Sequence, residues 1–122
     1  MTESLYERIG GDIAVKATVA KLYEKILDDE LLADFFDGID IDRLRRSQSA
    51  FVTMAFGGPN QYNGQGLRNA HKGLVARGLS DKHFDATAGH LKTAMQELNV
   101  SNELIEEALS IVETTRKDVL NQ

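Results

Sequence analysis

Three polar side chains fall where their neighbours ask for apolar ones: Tyr23, Gln48 and His71. His71 sits within Leu67-Arg68-Asn69-Ala70-His71-Lys72-Gly73-Leu74-Val75, whose apolar positions 67, 70, 74 and 75 mark one face of a helix. Four residues after Leu67 and three before Leu74, its imidazole points into the same apolar space. A histidine aimed inward is either a core residue with a hydrogen-bond partner or a metal ligand, and burial preference alone favours the first. Tyr23 lies in the stripe Val15, Val19, Leu22, Tyr23, Ile26. A buried phenol needs a partner, and a backbone carbonyl is the ordinary one. Gln48 interrupts the stripe Leu44, Phe51, Val52, Ala55. An unpaired buried amide costs about 1–3 kcal/mol, so Gln48 bonds to backbone or faces something polar in a cavity.

The chemistry open to these residues is narrow. The chain has no cysteine, which removes disulfides, iron–sulfur clusters and thiolate zinc sites. No Ser-His-Asp set and no pair of inward carboxylates is visible. A lone imidazole is a poor zinc site, because zinc takes three or four protein ligands. Haem iron differs: the porphyrin supplies its own nitrogens and one protein imidazole completes the attachment. The opposite face then takes a small ligand. Bound O2 carries partial negative charge, which a tyrosine hydroxyl and a glutamine amide can stabilise. One cofactor thus accounts for all three anomalies, with a cofactor-free helical interaction module as the alternative.

The elements that must position these groups read as helices. Leu5 to Ile9 forms a short helix stopped by Gly10-Gly11. Asp12 is the candidate N-cap of a helix reaching about Asp28. Leu31, Leu32, Phe35 and Phe36 make a compact apolar turn, and Asp40 caps a helix from about Ile41 to Phe56. Residues 57–66, with two glycine clusters and the lone Pro59, read as a loop leading into the short helix of His71. Ser80 caps a helix to about Leu98 with stripe Phe84, Ala88, Leu91, Met95, Leu98, and Asn99 ends it. His83 and His90 lie off that stripe and read as surface histidines. Ser101 caps the last helix, taken as continuous to Val119, with Arg116 and Lys117 favourable near its end. The 122 residues suit one all-α domain, 1–122. A net charge of −5 argues against nucleic-acid binding, and no apolar run approaches a membrane span, so a cytoplasmic protein is expected.

At this point the sequence resembles the group I truncated haemoglobins, with a likeness to cyanobacterial members. The resemblance covers nearly the whole chain and rests on Tyr6-Glu7-Arg8-Ile9-Gly10-Gly11, Leu22-Tyr23-Glu24-Lys25-Ile26-Leu27, Phe35-Phe36 and Gln48-Ser49-Ala50-Phe51. It continues through Ala55-Phe56-Gly57-Gly58-Pro59, Ala70-His71-Lys72-Gly73, His83-Phe84 and Lys117-Asp118-Val119-Leu120-Asn121-Gln122. It implies a truncated globin fold, a two-over-two helical sandwich enclosing haem b. It implies His71 as proximal iron ligand, Tyr23 and Gln48 as distal donors, and Leu44 lining the distal side. Phe36 would pack on the porphyrin, Phe51 would line a gas tunnel, and Phe84 would sit near the proximal face. Tyr62 matches a position that reaches a haem propionate, and Arg68 and Lys72 are further candidates for that role.

Two positions depart from some cyanobacterial members. Ser47 stands where those proteins have a distal histidine, and Thr115 where they have a histidine that bonds to a haem vinyl. Non-covalent haem is therefore expected, with an external ligand at the sixth position. The expected function is reversible binding of O2, and of CO and NO, by a monomer, with oxidation of nitric oxide to nitrate if a reductase serves it. An electron-transfer or peroxidase-like haem protein is the alternative.

Overall fold

The computed structural model describes residues 4–57 and 64–122; the side chains of residues 47, 51, 54, 55, 64–67 and 70 lie outside that description. Tyr62 and the side chains of Ser47 and Phe51, each singled out above, therefore lie outside the described residues. The described chain runs α1 (Leu5–Ile9), α2 (Gly11–Leu27), α3 (Glu30–Ala33), a 3-10 turn (Asp34–Phe36), α4 (Ile41–Ala55), α5 (Gly64–Ala76), α6 (Asp81–Glu97), α7 (Asn102–Glu113) and α8 (Arg116–Val119).

Local chemistry sets most of these boundaries. Ser4 Oγ accepts from the Glu7 N–H at 3.2 Å, and Gly10 closes α1 with φ +119°, a left-handed conformation that side chains disfavour. A Cβ on Gly10 would also lie 3.1 Å from the Ala14 Cβ. Because Gly10 itself is the junction, α2 starts at Gly11 and Asp12 falls in its first turn rather than capping it. There its charge favours the positive end of the helix. Asp29 caps α3 by accepting from the Leu31 N–H at 2.9 Å, and Asp40 accepts from the Arg43 N–H at 3.2 Å as α4 begins. Asn99 takes φ +61° beyond α6, and Ser101 Oγ accepts from the Leu104 N–H at 3.4 Å at the head of α7.

Two boundaries differ from the sequence reading. Helix α5 begins already at Gly64, inside the stretch expected as loop. The last helix is not continuous: α7 stops at Glu113 and α8 restarts at Arg116. Thr114 and Thr115 hydroxyls both donate to backbone carbonyls three residues back, Thr115 to Val112 at 2.6 Å. Such local bonds compete with the helical ladder.

Two helix pairs make the sandwich. α2 packs against α4, α6 packs against α7, and α2 meets α6 where the pairs cross. α1 bridges α2 and α7. Leu22, Val15, Val19, Met95 and Ile105 fill the crossing and are almost wholly buried. Ile105 of α7 is part of this core. The arrangement is the two-over-two sandwich expected above.

Candidate functional site

Between the two pairs lies a cavity of about 200 Å3 whose wall is mainly apolar. α2 contributes Leu22, Tyr23 and Ile26; α4 contributes Leu44, Gln48 and Val52. α5 brings His71 and Leu74, and α6 brings His83, Phe84, Thr87, Ala88 and Leu91. Phe35 and Phe36 close one side, and Val112, Thr115, Val119 and Leu120 another. The three residues that looked out of place on three helices therefore open onto one space.

Tyr23 is 3% exposed, and its hydroxyl lies 3.5 Å from Gln48 Oε1. That is the long limit of a hydrogen bond, so the pair is in register without being tightly locked. With Oε1 accepting, the amide nitrogen of Gln48 is left as a donor. The Tyr23 ring stands edge-on to Phe36, centroids 5.8 Å apart, which fixes the direction of its hydroxyl. Burial raises the Tyr23 phenol well above its ordinary pKa, so it remains a proton donor across the physiological range.

His83 is a correction to the sequence reading. It is buried, 7% exposed, and lines the cavity. Its Nδ1 accepts from the Ser80 N–H at 3.0 Å and lies 3.1 Å from Ser80 Oγ, forming the capping box of α6. Because a backbone N–H can only donate, this arrangement puts the ring proton on Nε2. The ring also meets Phe35 edge-on at 5.0 Å. The signal available in the sequence was the spacing Ser80-x-x-His83, a capping box with histidine in place of the usual glutamate. His90 is likewise not simply a surface residue: it is half-buried, with Nε2 2.7 Å from Asp29 Oδ2.

Arg68 does not line the cavity. Its guanidinium reaches the chain at 117–122 instead, donating to the Gln122 carbonyl at 2.7 Å. Lys72 is exposed on α5. Arg116, expected near a helix end, stacks on Phe84 at 4.4 Å and pairs with Glu113, Asp85 and Asp81. Those carboxylates, Glu113 first, raise its already high pKa.

The site fits an iron porphyrin on its own chemistry. Among the described residues no group of three or more His, Asp or Glu could hold a bare metal ion. An apolar slot with an imidazole on one wall and two neutral donors on another suits a metal that arrives inside a flat, greasy macrocycle.

The chain matches the bacterial-like globin family over residues 4–121. It is 42% identical to the group 1 truncated haemoglobin GlbN of Synechocystis, covering 98% of each chain. It is 41% identical to the group 1 truncated haemoglobin of Tetrahymena pyriformis, covering 98% of this chain and 97% of that one. Its structure superposes on the 2/2 haemoglobin of Synechococcus sp. PCC 7002, which carries covalently attached haem. The TM-score is 0.92 at 46% identity, with 98% of this chain and 100% of that one covered.

The chain belongs to the group 1 truncated haemoglobins. This truncated haemoglobin is thus a haem-containing, gas-binding globin, and the cavity between its helix pairs is the place the residues above offer for haem. At Thr115 this globin lines its cavity with a hydroxyl, and that hydroxyl is already donated to the Val112 carbonyl. No helix of the described residues is long and apolar enough to cross a membrane.

Proposed function

We propose that this globin holds haem b without a covalent bond, with His71 as the proximal iron ligand, and that it binds O2 reversibly beneath Tyr23 and Gln48. The observation that carries this reading is the convergence of His71, Tyr23 and Gln48 on one apolar cavity. When bound, the haem would supply an iron able to take a diatomic ligand, with His71 holding it to the protein. Tyr23 would turn its hydroxyl hydrogen from Gln48 toward that ligand and Gln48 would donate its amide, with Leu44 and Phe36 as apolar neighbours in the same cavity wall. Both are hydrogen-bond donors, so they favour a ligand with partial negative charge, O2, over the less polar CO. Phe84 packs from α6 on the cavity wall. For the haem carboxylates Lys72 remains the candidate anchor from α5.

The absence of a cavity nucleophile at position 115 supports non-covalent attachment, since a threonine hydroxyl has no imidazole nitrogen to add to a vinyl group. Oxidation of nitric oxide to nitrate is a further activity consistent with the site. Each turnover would need an electron from a reductase. The peroxidase-like or electron-transfer alternative has no observation in its favour.

Two imidazoles line the cavity, and the assignment rests on what His83 already does: with Nδ1 accepting at the α6 cap, its proton sits on Nε2, the nitrogen an iron would need. His83 commits Nδ1 to the α6 cap and its edge to Phe35, which holds its plane. Absorption spectra of ferric, ferrous and CO-bound forms of the wild type, His71→Ala and His83→Leu test this directly. The reading expects His71→Ala to lose haem retention and the ligand-bound spectrum, and His83→Leu to keep both. The reverse pattern would transfer the ligand role to His83. A low-spin bis-imidazole spectrum in the ferrous, ligand-free wild type would overturn the open sixth position. Acidified organic solvent is expected to extract all the haem.

A further inference from the structure

Among the described residues, the helix that carries His71 packs chiefly against α8. Its cavity side presents His71 and Leu74 to the space between the helix pairs, where the haem would sit.

One turn before His71, Arg68 grips the chain that follows α8. Its Nη2 donates to the Gln122 carbonyl at 2.7 Å, and Nη1 lies 3.3 Å from that carbonyl, 3.3 Å from the Lys117 carbonyl and 3.5 Å from Asp118 Oδ1. Asn121 returns the contact, donating from Nδ2 to the Arg68 carbonyl at 3.1 Å. The shape of 117–122 makes this grip available. Asn121 adopts φ +55°, which reverses the chain so that the Gln122 N–H donates back to the Lys117 carbonyl at 2.9 Å. Carbonyls at the end of a helix lack intrahelical donors, and a guanidinium fork satisfies several at once. The Arg68–Asp118 ion pair is partly exposed on both sides and by itself contributes little. The carbonyl contacts and the returning amide are what make the arrangement directional.

We propose that Arg68 is a positioning residue for the proximal side: its clasp on residues 117–122 fixes the turn of α5 before His71 and so sets the approach of the imidazole to the iron. This rests on the reading of His71 as iron ligand. It also gives Arg68 a different task from the carboxylate anchor expected from the sequence.

The test uses the haem-loaded protein with Arg68→Ala, Arg68→Lys and Asn121→Ala. Two quantities are read: the iron–histidine stretching band of the ferrous, ligand-free form by resonance Raman, and the rate of haem transfer to an acceptor apoglobin. Arg68→Ala should shift or broaden the band and speed haem loss roughly tenfold, as expected when charge-assisted contacts are lost. Arg68→Lys, which keeps the charge but not the fork, should give an intermediate shift. Asn121→Ala, which leaves Arg68 in place, should give a smaller shift in the same direction, and it carries the test if Arg68→Ala does not fold. Faster haem loss with an unmoved band would make Arg68 a carboxylate anchor and overturn the clasp, as would no change in either quantity. A wild type without any iron–histidine band would instead sink the His71 reading, and the clasp with it.

Discussion

The Tyr23 hydroxyl lies 3.5 Å from Gln48 Oε1, a contact loose enough for each group to turn to a ligand. If Tyr23 donates to a partly negative ligand, the bond is worth about 1.5–3 kcal/mol. Tyr23→Phe should therefore speed O2 dissociation roughly ten- to hundredfold in stopped-flow displacement by CO. CO dissociation should change far less. Equal O2 off-rates in wild type, Tyr23→Phe and Gln48→Leu would remove both residues from ligand stabilisation. His83 makes a different prediction at the same scale. His83→Ala should destabilise the folded protein by about 1 kcal/mol through loss of the α6 capping box, read as a lower urea midpoint, while the pigment spectrum stays in place.

The elements are tied together by contacts between distant segments, and one tie has a calculable pH response. Asp29 sits at the corner between α2 and α3, and His90 lies on α6. The hydrogen bond from His90, helped by the Leu31 N–H, holds the Asp29 carboxyl below the usual carboxylate range. A depressed folded pKa means stability that is complete above the unfolded value of about 4 and is lost as pH falls through the lower, folded value. Urea midpoints of wild type and Asp29→Asn should thus differ near neutrality and converge in acid below about pH 4. A gap that persists at lower pH would assign the effect to the cap geometry rather than the charge. Elsewhere between elements, Lys25 and Lys21 on α2 both reach Glu97 at the end of α6, and hydrogen bonding from Lys25 first lowers its pKa. These pairs hold the crossing helices from outside, while the apolar crossing holds them from within.

For the whole molecule, the cavity lies between the helix pairs rather than at an edge, so its occupant should couple to global stability. A ligand at a hundred times its dissociation constant adds about 2.7 kcal/mol to folding. Removing haem should lower the melting temperature by on the order of 10 °C for a chain of this size. A calorimetric scan of haem-free and haem-loaded protein checks it; superimposable transitions would mean the cofactor does not bridge the two layers.

The sequence by itself determined most of the helices, several of their caps and the identity of the three unusual residues. Caps such as Asp40 and Ser101 act within three residues, and apolar stripes repeat within one helix, so both are written locally. Tyr23, Gln48 and His71 were visible because each broke a stripe. Only the tertiary structure decided that His83 faces the cavity, because the cap at Ser80 draws its ring around the end of α6 to meet Phe35, nearly fifty residues away in the chain. Only it decided that Arg68 turns to residues 117–122, since those carbonyls come within reach through the packing of α5 on α8. Backbone pattern is a short-range property of the chain, whereas the partner of a long polar side chain depends on which distant segment the fold brings beside it.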